Sequence, residues 1–315
     1  MKITALAGGV GGAKLTDGIY RLIPKVDLSV IVNTGDDFTH FGLKISPDLD
    51  TVCYNLAGLA SSETVWGMGS ENWETMNLIK DLGGPDWFSL GNKDLATNLE
   101  RTRRLNNGDP LSEITADFCE HWGISARVLP MTDDSVPTLV KTESGYLPFQ
   151  EYFVKYGTKP EVSGFAFRNI ESSTPAPGVI DEIESADLVV ICPSNPWVSI
   201  APILSVPGIL EALKKKIVMA ISPIIGGEAV KGPAAKMYRE MGIEPSAISV
   251  ADGYGDLIKG FILDQKDKDL VPELVSKFDG NIWILKADTW MGDLRDRIRL
   301  AGEVVIFGNQ LIKEV

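Results

Sequence analysis

The sequence predicts an α/β protein with a Rossmann-like, doubly wound and mostly parallel sheet. Three observations predict it: short apolar runs that alternate with helical patterns, polar or glycine-rich loops after these runs, and a glycine-rich strand–loop–helix at the start of the 315 residues. Continuous Val, Ile and Leu runs are typical of parallel strands buried on both faces. We therefore expect the loops to meet at the carboxyl edge of one sheet, where such folds bind ligands.

The first element is a strand over residues 2–7, followed by glycines and a helix from about Gly12. With this order of elements, backbone N–H groups surround an anion at the positive end of a helix dipole. Glycine suits the loop because a Cβ there would block the close approach of a phosphate. A tightly packed turn without a ligand is the alternative. The dinucleotide and P-loop fingerprints both fail, because Lys14 and Leu15 stand where a glycine and a magnesium-binding hydroxyl belong. The predicted phosphate ligands are Gly8, Gly9, Gly11, Gly12 and Lys14.

Four carboxylates follow the second predicted strand, at residues 28–32. Capping and Asx turns account for some of them. Clustered carboxylates repel one another, so we expect a cation or a substrate hydroxyl between them. Oxygen ligands favour Mg²⁺. We predict that Asn33 contacts the nucleotide, that Asp36, Asp48 and Asp50 bind Mg²⁺, and that the catalytic residues are Asp37, Asp48 and Asp50.

Two regions interrupt the alternation of strands and helices. Residues of about 52–122 are predicted to form a helical insert rich in tryptophan, and residues of about 136–168 a β-hairpin that serves as a flap or a dimer contact. The tryptophans either form the core of the insert or cover a flat ring. We treat both regions as insertions in a single nucleotide-binding domain over residues 1–315.

Further strands are predicted from apolar runs in the second half of the chain, at 126–131, 186–191, 216–221, 247–250, 281–285 and 303–307. Two of the loops that follow are held rigid by proline, and they offer hydroxyl, amide and backbone groups to a nucleotide. The predicted ligands in these loops are Ser194, Asn195, Ser222 and Gly226.

Composition excludes several classes of protein. A net charge of −13 argues against nucleic acid as a partner. The three cysteines have neither the spacing of a disulfide framework nor that of a zinc site. No apolar run reaches the roughly 20 residues of a membrane span, and the short first strand does not read as a signal peptide. We expect a cytoplasmic protein that does not bind membranes.

The strings GGVGGAKL, NTGDD, ISPDLDT, MTDD, PSNPWVSIAPILSVPG and SPIIGGEAVKGPAAKM together resemble the 2-phospho-L-lactate transferase family of coenzyme F420 biosynthesis, from residue 1 to about 255. The resemblance implies a Mg²⁺-dependent enzyme that is a homodimer. It implies transfer of a phospholactyl or phosphoenolpyruvyl group from a guanosine diphospho-donor to the ribityl hydroxyl of Fo, the deazaflavin 7,8-didemethyl-8-hydroxy-5-deazariboflavin, with release of GMP.

The same resemblance implies that the glycine loop and the PSNP loop hold the guanosine nucleotide. It places the deazaflavin contacts on Asp50 and Lys93, and we add Asp94 beside them. In the GNKDLATN segment the chain departs from the family, because Asn92 and Asn98 replace an aspartate and a histidine. What these two asparagines do is left open.

Two other classes of function are weighed against the transferase. A nucleotide-sugar-binding regulator of the gluconeogenesis-factor type would share the glycine loop, but a pure binder has no need of the DLDT and GNKDLAT segments. An NAD(P) oxidoreductase is weakened by the missing third glycine. The sequence therefore favours the transferase.

Overall fold

Strands and helices alternate along the chain in the computed structural model, which describes residues 1–24, 27–61 and 66–314. In chain order the elements are β1 (Ile3–Ala7), α1 (Gly9–Leu22), β2 (Leu28–Val32), β3 (Phe38–His40), β4 (Leu43–Ile45), α2 (Pro47–Leu56), α3 (Glu74–Asp81), α4 (Asn92–Asn106), α5 (Leu111–His121), β5 (Arg127–Pro130), β6 (Thr138–Thr142), β7 (Gly145–Pro148), β8 (Gly164–Phe167), α6 (Val179–Ser185), β9 (Leu188–Ile191), α7 (Ala201–Ser205), α8 (Ile209–Leu213), β10 (Val218–Ile221), β11 (Ile224–Ile225), β12 (Glu228–Ala229), α9 (Ala234–Glu240), α10 (Ala247–Tyr254), β13 (Gly260–Asp264), α11 (Val271–Lys277), β14 (Trp283–Ala287) and α12 (Leu294–Glu314).

Seven of these strands form one parallel sheet in the order β14-β13-β10-β9-β1-β2-β5. β1 pairs with β2 on one side and with β9 on the other, so the strand order reverses between β1 and β9. A crevice opens at such a reversal, beyond the carboxyl ends of the two strands. The topology confirms the predicted doubly wound fold and locates its ligand site.

Two apolar cores cover the two faces of the sheet. Successive residues of a strand point to opposite faces, so Ala5 and Ala7 belong to one core and Leu6 belongs to the other. The first core contains residues of α1, α2 and α12, and the second contains residues of α6, α7 and α8. In the described part of the chain, no helix is both long and apolar enough to cross a membrane.

The two predicted interruptions lie between strands of the sheet. The ribbon β3–β4 and the helices α2 to α5 occupy the connection from β2 to β5. β6 and β7 form the predicted hairpin, with Thr142 paired to Gly145 across the turn. β8 joins β6 on its other side as a third antiparallel strand that the sequence did not predict.

Two strand predictions in the C-terminal half are wrong, and one strand was not predicted. Residues 247–250 begin a helix and not a strand, because the Ser246 hydroxyl caps it by accepting from the Ser249 amide. Residues 303–307 lie inside α12, whose buried positions Leu300, Val304, Phe307 and Leu311 follow a helical period. The strand β13, which is buried along its whole length, was missed.

Candidate active site at the carboxyl edge of the sheet

A cleft of about 480 Å³ opens at the carboxyl ends of β1 and β9, a size usual for small-molecule sites. One end, which we call the glycine end, contains the loop between β1 and α1 with the loops after β9 and β10. The other end, which we call the aromatic end, is lined by Tyr54, Trp66, Trp73, Trp87, Phe88, Phe149 and Phe153. Three acidic side chains line the cleft between the two ends: Asp36, Asp48 and Asp50.

The glycine end is held together by a contact between its first two loops. α1 begins at Gly9, three residues earlier than predicted, and Gly9 has a φ of +61°, which favours glycine. The Gly8 amide donates to Ser194 Oγ at 3.1 Å, and this hydroxyl donates back to the Gly8 carbonyl at 2.7 Å. The predicted ligand Ser194 therefore fixes the loop in addition to lining the cleft.

Three of the glycines are required by protein neighbours. A Cβ on Gly8 would lie 2.7 Å from Asp48 Oδ2, and one on Gly11 would collide with the Pro193 carbonyl oxygen. A Cβ on Gly12 would press against the same loop, and Gly12 does not line the cleft. The glycines thus bring the β1 and β9 loops together, as the alternative of a tightly packed turn requires, and phosphate binding by these residues stays a prediction.

Asp36 and Asp48 meet around Asn33, which is buried beneath the cleft. Asn33 Nδ2 donates to Asp36 Oδ1 at 3.1 Å and to Asp48 Oδ2 at 2.9 Å, and the Gly9 amide also donates to Asp48. Gln150 Nε2 donates to Asp36 Oδ2 at 3.4 Å. Among the residues that the structure describes, neither carboxylate has an ion-pair partner. Asn33, which was predicted to contact the nucleotide, therefore holds the two acids and does not itself line the cleft.

Burial without a cation shifts the titration of both acids. It raises the pKa of Asp48 to about 6 and the pKa of Asp36 well above its usual range, and repulsion by Asp48 adds to the rise at Asp36. Two facing carboxylates of this kind are suited to Mg²⁺, which often takes one or two protein carboxylates together with substrate phosphates. No group of three acidic, histidine or cysteine side chains in the described ranges could hold a metal ion.

Asp50 lies in a different environment, although it is only two residues from Asp48. Arg101 of α4 donates through Nη1 to Asp50 Oδ2 at 3.2 Å and through Nη2 to Asp50 Oδ1. Burial raises the pKa of Asp50, and the guanidinium opposes this rise. Both oxygens of Asp50 are thus engaged by Arg101, whereas Asp36 and Asp48 share the Asn33 amide, although the sequence grouped all three as metal ligands.

Asp37 faces away from the cleft and lines no part of it. Its Oδ2 accepts from the Ser46 hydroxyl at 2.7 Å, while Oδ1 is buried with no partner in the described structure. Burial raises the pKa of Asp37 well above its usual range. Asp37 was predicted to be catalytic together with Asp48 and Asp50, but unlike them it does not line the cleft.

At the aromatic end, Asp94 lines the cleft and Lys93 does not. Asp94 accepts hydrogen bonds from the Tyr54 hydroxyl and the Met68 amide, and burial raises its pKa to about 7. Lys93 is exposed, and its Nζ donates to the Gly69 carbonyl at 2.7 Å. Of the two predicted contacts in this segment, Asp94 is therefore the one that lines the cleft.

Lys14 lines the glycine end as predicted, and its Nζ donates to the Met291 carbonyl at 2.6 Å. Burial lowers the pKa of Lys14, and repulsion by Arg297 and Lys231 lowers it further. Lys231, in the loop before α9, lines the same end. Within the described ranges these two lysines are the cations that line the cleft, and the sequence analysis named only Lys14 as a ligand.

The remaining predicted ligands hold their own loops. Asn195 lines the cleft and accepts from the Trp197 amide at 3.0 Å. Ser222 also lines the cleft and accepts from the Ile224 amide at 3.1 Å. Gly226 does not line it, because its amide donates to Asp267.

The aromatic end is built from the insert and from the hairpin region together. Trp66 meets Phe153 edge to face with ring centroids 5.8 Å apart, and Phe153 stacks on Phe149 at 5.5 Å. Both phenylalanines follow β7, in the segment predicted as a flap. Trp122 packs against Tyr54 at 5.3 Å and lines no part of the cleft. Trp122 thus packs against the core, whereas Trp66, Trp73 and Trp87 line the cleft, where the covering of a flat ring stays a prediction.

Comparison with known proteins identifies the family. The model of the 2-phospho-L-lactate transferase CofD family matches residues 3–279. The chain is 43% identical over 282 residues to a phosphoenolpyruvate transferase of Streptomyces griseus, covering 87% of this chain and 89% of that protein. It is 38% identical over 316 residues to a 2-phospho-L-lactate transferase of Methanopyrus kandleri, covering 99% of each.

A solved structure shares the fold. It is a member of the UPF0052 family from Bacillus halodurans, with a TM-score of 0.63 over 96% of this chain and 98% of that one. The two sequences are 15% identical, so this likeness concerns the fold alone. The family match, in contrast, covers most of the residues that build the cleft. The chain belongs to the 2-phospho-L-lactate transferase family.

Proposed function

We propose that the protein transfers a 2-phospholactyl or phosphoenolpyruvyl group from a guanosine diphospho-donor to the ribityl hydroxyl of Fo, and that GMP leaves. The observation that carries this proposal is a single cleft with a glycine end suited to a diphosphate, an aromatic end suited to a flat ring, and acids between them. Relatives named for each of the two three-carbon groups match this chain. The proposal therefore includes both donors.

The donor diphosphate would lie at the glycine end. The first four N–H groups of a helix lack intrahelical partners. Asp48 takes that of Gly9, while Val10 and Gly11 line the cleft beside it. Lys14 and Lys231 supply positive charge at this end. The donor diphosphate is thus matched by backbone amides and two ammonium groups.

Asp36 and Asp48 are the residues that would hold Mg²⁺. The fit rests on two buried carboxylates that share the Asn33 amide and have no cation of their own in the described structure. A bound Mg²⁺ would neutralise charge on the phosphate oxygens of the donor. Because the Gly9 amide donates to Asp48, the carboxylates and the start of α1 would lie next to each other beside the donor.

Asp50 would accept the proton of the acceptor hydroxyl. The hydroxyl oxygen forms a bond to the phosphorus that carries the three-carbon group, and the phosphoanhydride bond to GMP breaks. Asp50 lies between the glycine and aromatic ends. With the deazaflavin ring of Fo at the aromatic end, the hydroxyl of its ribityl chain would lie near both the Asp50 carboxylate and the donor. Asp94 and the tryptophans would hold the ring itself.

The first test is a titration of the protein with Fo, followed by deazaflavin fluorescence, with and without GDP and Mg²⁺. We expect saturable binding at about micromolar concentration. Trp73→Ala should weaken it about fivefold, since stacking on a flat ligand contributes about 1 kcal/mol. Trp283→Ala is the matched control, because Trp283 of β14 is 46% exposed, close to the 41% of Trp73, and lies outside the cleft.

Absence of Fo binding under every condition would contradict the proposal and leave a nucleotide-binding regulator as the next hypothesis. A screen of nucleotide sugars would then follow. Product formation is the second step of the test, with phospholactyl and phosphoenolpyruvyl guanosine donors compared side by side. The donor with the higher kcat/KM identifies the three-carbon group.

A further inference from the structure

Arg101 lies directly behind Asp50 and lines no part of the cleft. We propose that Arg101, held by Asn98, is a positioning residue that fixes the Asp50 carboxylate between the donor and the acceptor hydroxyl and keeps it out of the metal site. The proposal rests on the proposed function, and it assigns a role to two residues of α4 for which the sequence analysis found none.

The guanidinium group of Arg101 donates hydrogen bonds to three residues. Nη1 donates to Asp50 Oδ2 at 3.2 Å, to Asn98 Oδ1 at 2.5 Å and to the Lys44 carbonyl at 3.4 Å, and Nη2 donates to Asp50 Oδ1. The ring of Phe118 lies 5.9 Å from the guanidinium carbon. Arg101 is 3% exposed and Asp50 is 8% exposed. The planar fork of Arg101 thus restrains the rotation of the carboxylate.

Asn98 completes this arrangement from within the same helix. Its Nδ2 donates to the Asp94 carbonyl at 2.8 Å, which turns Oδ1 toward Arg101. An asparagine one turn before an arginine can accept from it without adding charge, so Arg101 keeps its full charge for Asp50. This contact gives Asn98 a role that does not require the histidine found at this position in the family.

The arrangement also explains why Asp50 differs from Asp48. A carboxylate with both oxygens engaged by a guanidinium is a poor metal ligand, but it still has lone pairs to accept a hydroxyl proton. Asp48 and Asp36 face the same cleft without such a partner in the described ranges. Arg101 therefore divides neighbouring acids of α2 between two tasks.

The test measures kcat and KM for Arg101→Met, Arg101→Lys and Asn98→Ala, each alone and in the Asp50→Asn background. We expect Arg101→Met to lower kcat about 100-fold, with KM for the guanosine donor changed less than about twofold. Arg101→Lys should recover about tenfold of this loss, and Asn98→Ala should cost about fivefold. In the Asp50→Asn background we expect Arg101→Met to change kcat less than about twofold.

Arg104→Met is the control, because Arg104 lies on the same helix and pairs with Asp109 and Asp117 away from the cleft. It should leave kcat and KM as in the wild type. An Arg101→Met loss of the same size with and without Asp50 would overturn the proposal, since Arg101 would then act independently of Asp50. If Arg101→Met does not fold, the same comparison is made with Arg101→Lys.

A structural measurement keeps this proposal apart from the proposed function. If the wild type forms no product from any guanosine donor, the crystal structure of Asn98→Ala still decides the positioning role. A carboxylate of Asp50 that has turned from its wild-type orientation supports the role of Asn98 and Arg101. An Asp50 that keeps its orientation, with Arg101 displaced, overturns it.

Discussion

Two acid sites on α2 show opposite solutions to the same electrostatic problem. Asp48 faces Asp36, and its neighbours supply only neutral hydrogen-bond donors, from Asn33 and Gly9. Asp50 faces Arg101, which supplies a full positive charge. Burying an unpaired charge is costly. The protein thus supplies Asp50 with a cation of its own, whereas the described residues supply none to the Asp36–Asp48 pair.

The largest expected difference concerns turnover and its dependence on Mg²⁺. Asp48→Asn removes a proposed metal ligand, so we expect turnover to fall about 1,000-fold and the half-saturating Mg²⁺ concentration to rise at least about tenfold. Asp50→Asn should also lower turnover by about 100-fold or more, but with unchanged Mg²⁺ dependence and nearly unchanged binding of GDP. Steady-state rates over a range of Mg²⁺ concentrations separate the two variants.

Two results for Asp50→Asn would contradict this division of roles between Asp48 and Asp50. Normal turnover of Asp50→Asn would remove Asp50 from the mechanism. A large rise in the Mg²⁺ requirement of Asp50→Asn would return this residue to the metal site, as the sequence predicted, and would mean that Arg101 moves when substrate binds. Lys93→Met, which alters an exposed side chain outside the cleft, serves as the control for Mg²⁺ dependence.

In the absence of metal, substitutions at the two sites should have different effects on the free energy of unfolding. Arg101→Met leaves a buried Asp50 without its cation and should lower the free energy of unfolding by about 3 kcal/mol. Asp36→Asn removes one of two repelling carboxylates and should leave this free energy unchanged or raise it by about 1 kcal/mol. Urea unfolding in EDTA measures both. Equal destabilisation by the two variants would show that Asp36 is compensated within the protein.

A third test measures how much the ammonium group of Lys14 contributes to GDP binding at the glycine end. Lys14→Met should weaken GDP binding about tenfold, a loss of about 1.4 kcal/mol, at saturating Mg²⁺. Because Lys14 lies at the glycine end, Fo affinity measured without nucleotide should stay as in the wild type. Calorimetric titration with GDP gives the result. Unchanged GDP affinity would assign the diphosphate to Lys231 and the helix amides instead.

The fold and the position of the site were predictable because they depend on local patterns. A buried apolar run followed by glycines predicts both a parallel strand and the loop at its end, as at β1. A short apolar run is compatible with a strand or with a buried segment of helix. For this reason the run at residues 303–307 predicted a strand. Their burial period becomes visible only over the whole of α12.

The division of labour among the acids could not be predicted from the sequence. Asp50 and Arg101 are 51 residues apart, and the contact that separates Asp50 from Asp48 depends on how α4 packs against α2. Three arginines, Arg101, Arg103 and Arg104, lie close together in the sequence. Nothing in the local sequence distinguishes the buried Arg101 from its two more exposed neighbours. Likewise, only tertiary packing shows that Asn33 lies beneath the acids and that Lys93 faces away from the cleft.

The smallest predicted effect extends the comparison to a third acid, Asp94, at the aromatic end. Burial raises the pKa of Asp94 to about 7, and Asp50 and Glu71 add to this rise. The folded protein therefore holds a proton on Asp94 between about pH 4 and 7 that the unfolded chain has already lost, so this group lowers stability as the pH rises through that range. Asp94→Asn removes the penalty. Its stability relative to the wild type should increase by about 1 kcal/mol between pH 4 and pH 8, after discounting for the partial exposure of the side chain.

Urea unfolding of both proteins at several pH values measures this change, with Asp269→Asn as the control on an exposed acid outside the cleft. The control should show no such trend. A constant difference between Asp94→Asn and the wild type would mean that the folded protein does not raise the pKa of Asp94. In the expected case Asp94 would be largely protonated below about pH 7 and would offer a neutral hydrogen-bond donor at the aromatic end of the cleft.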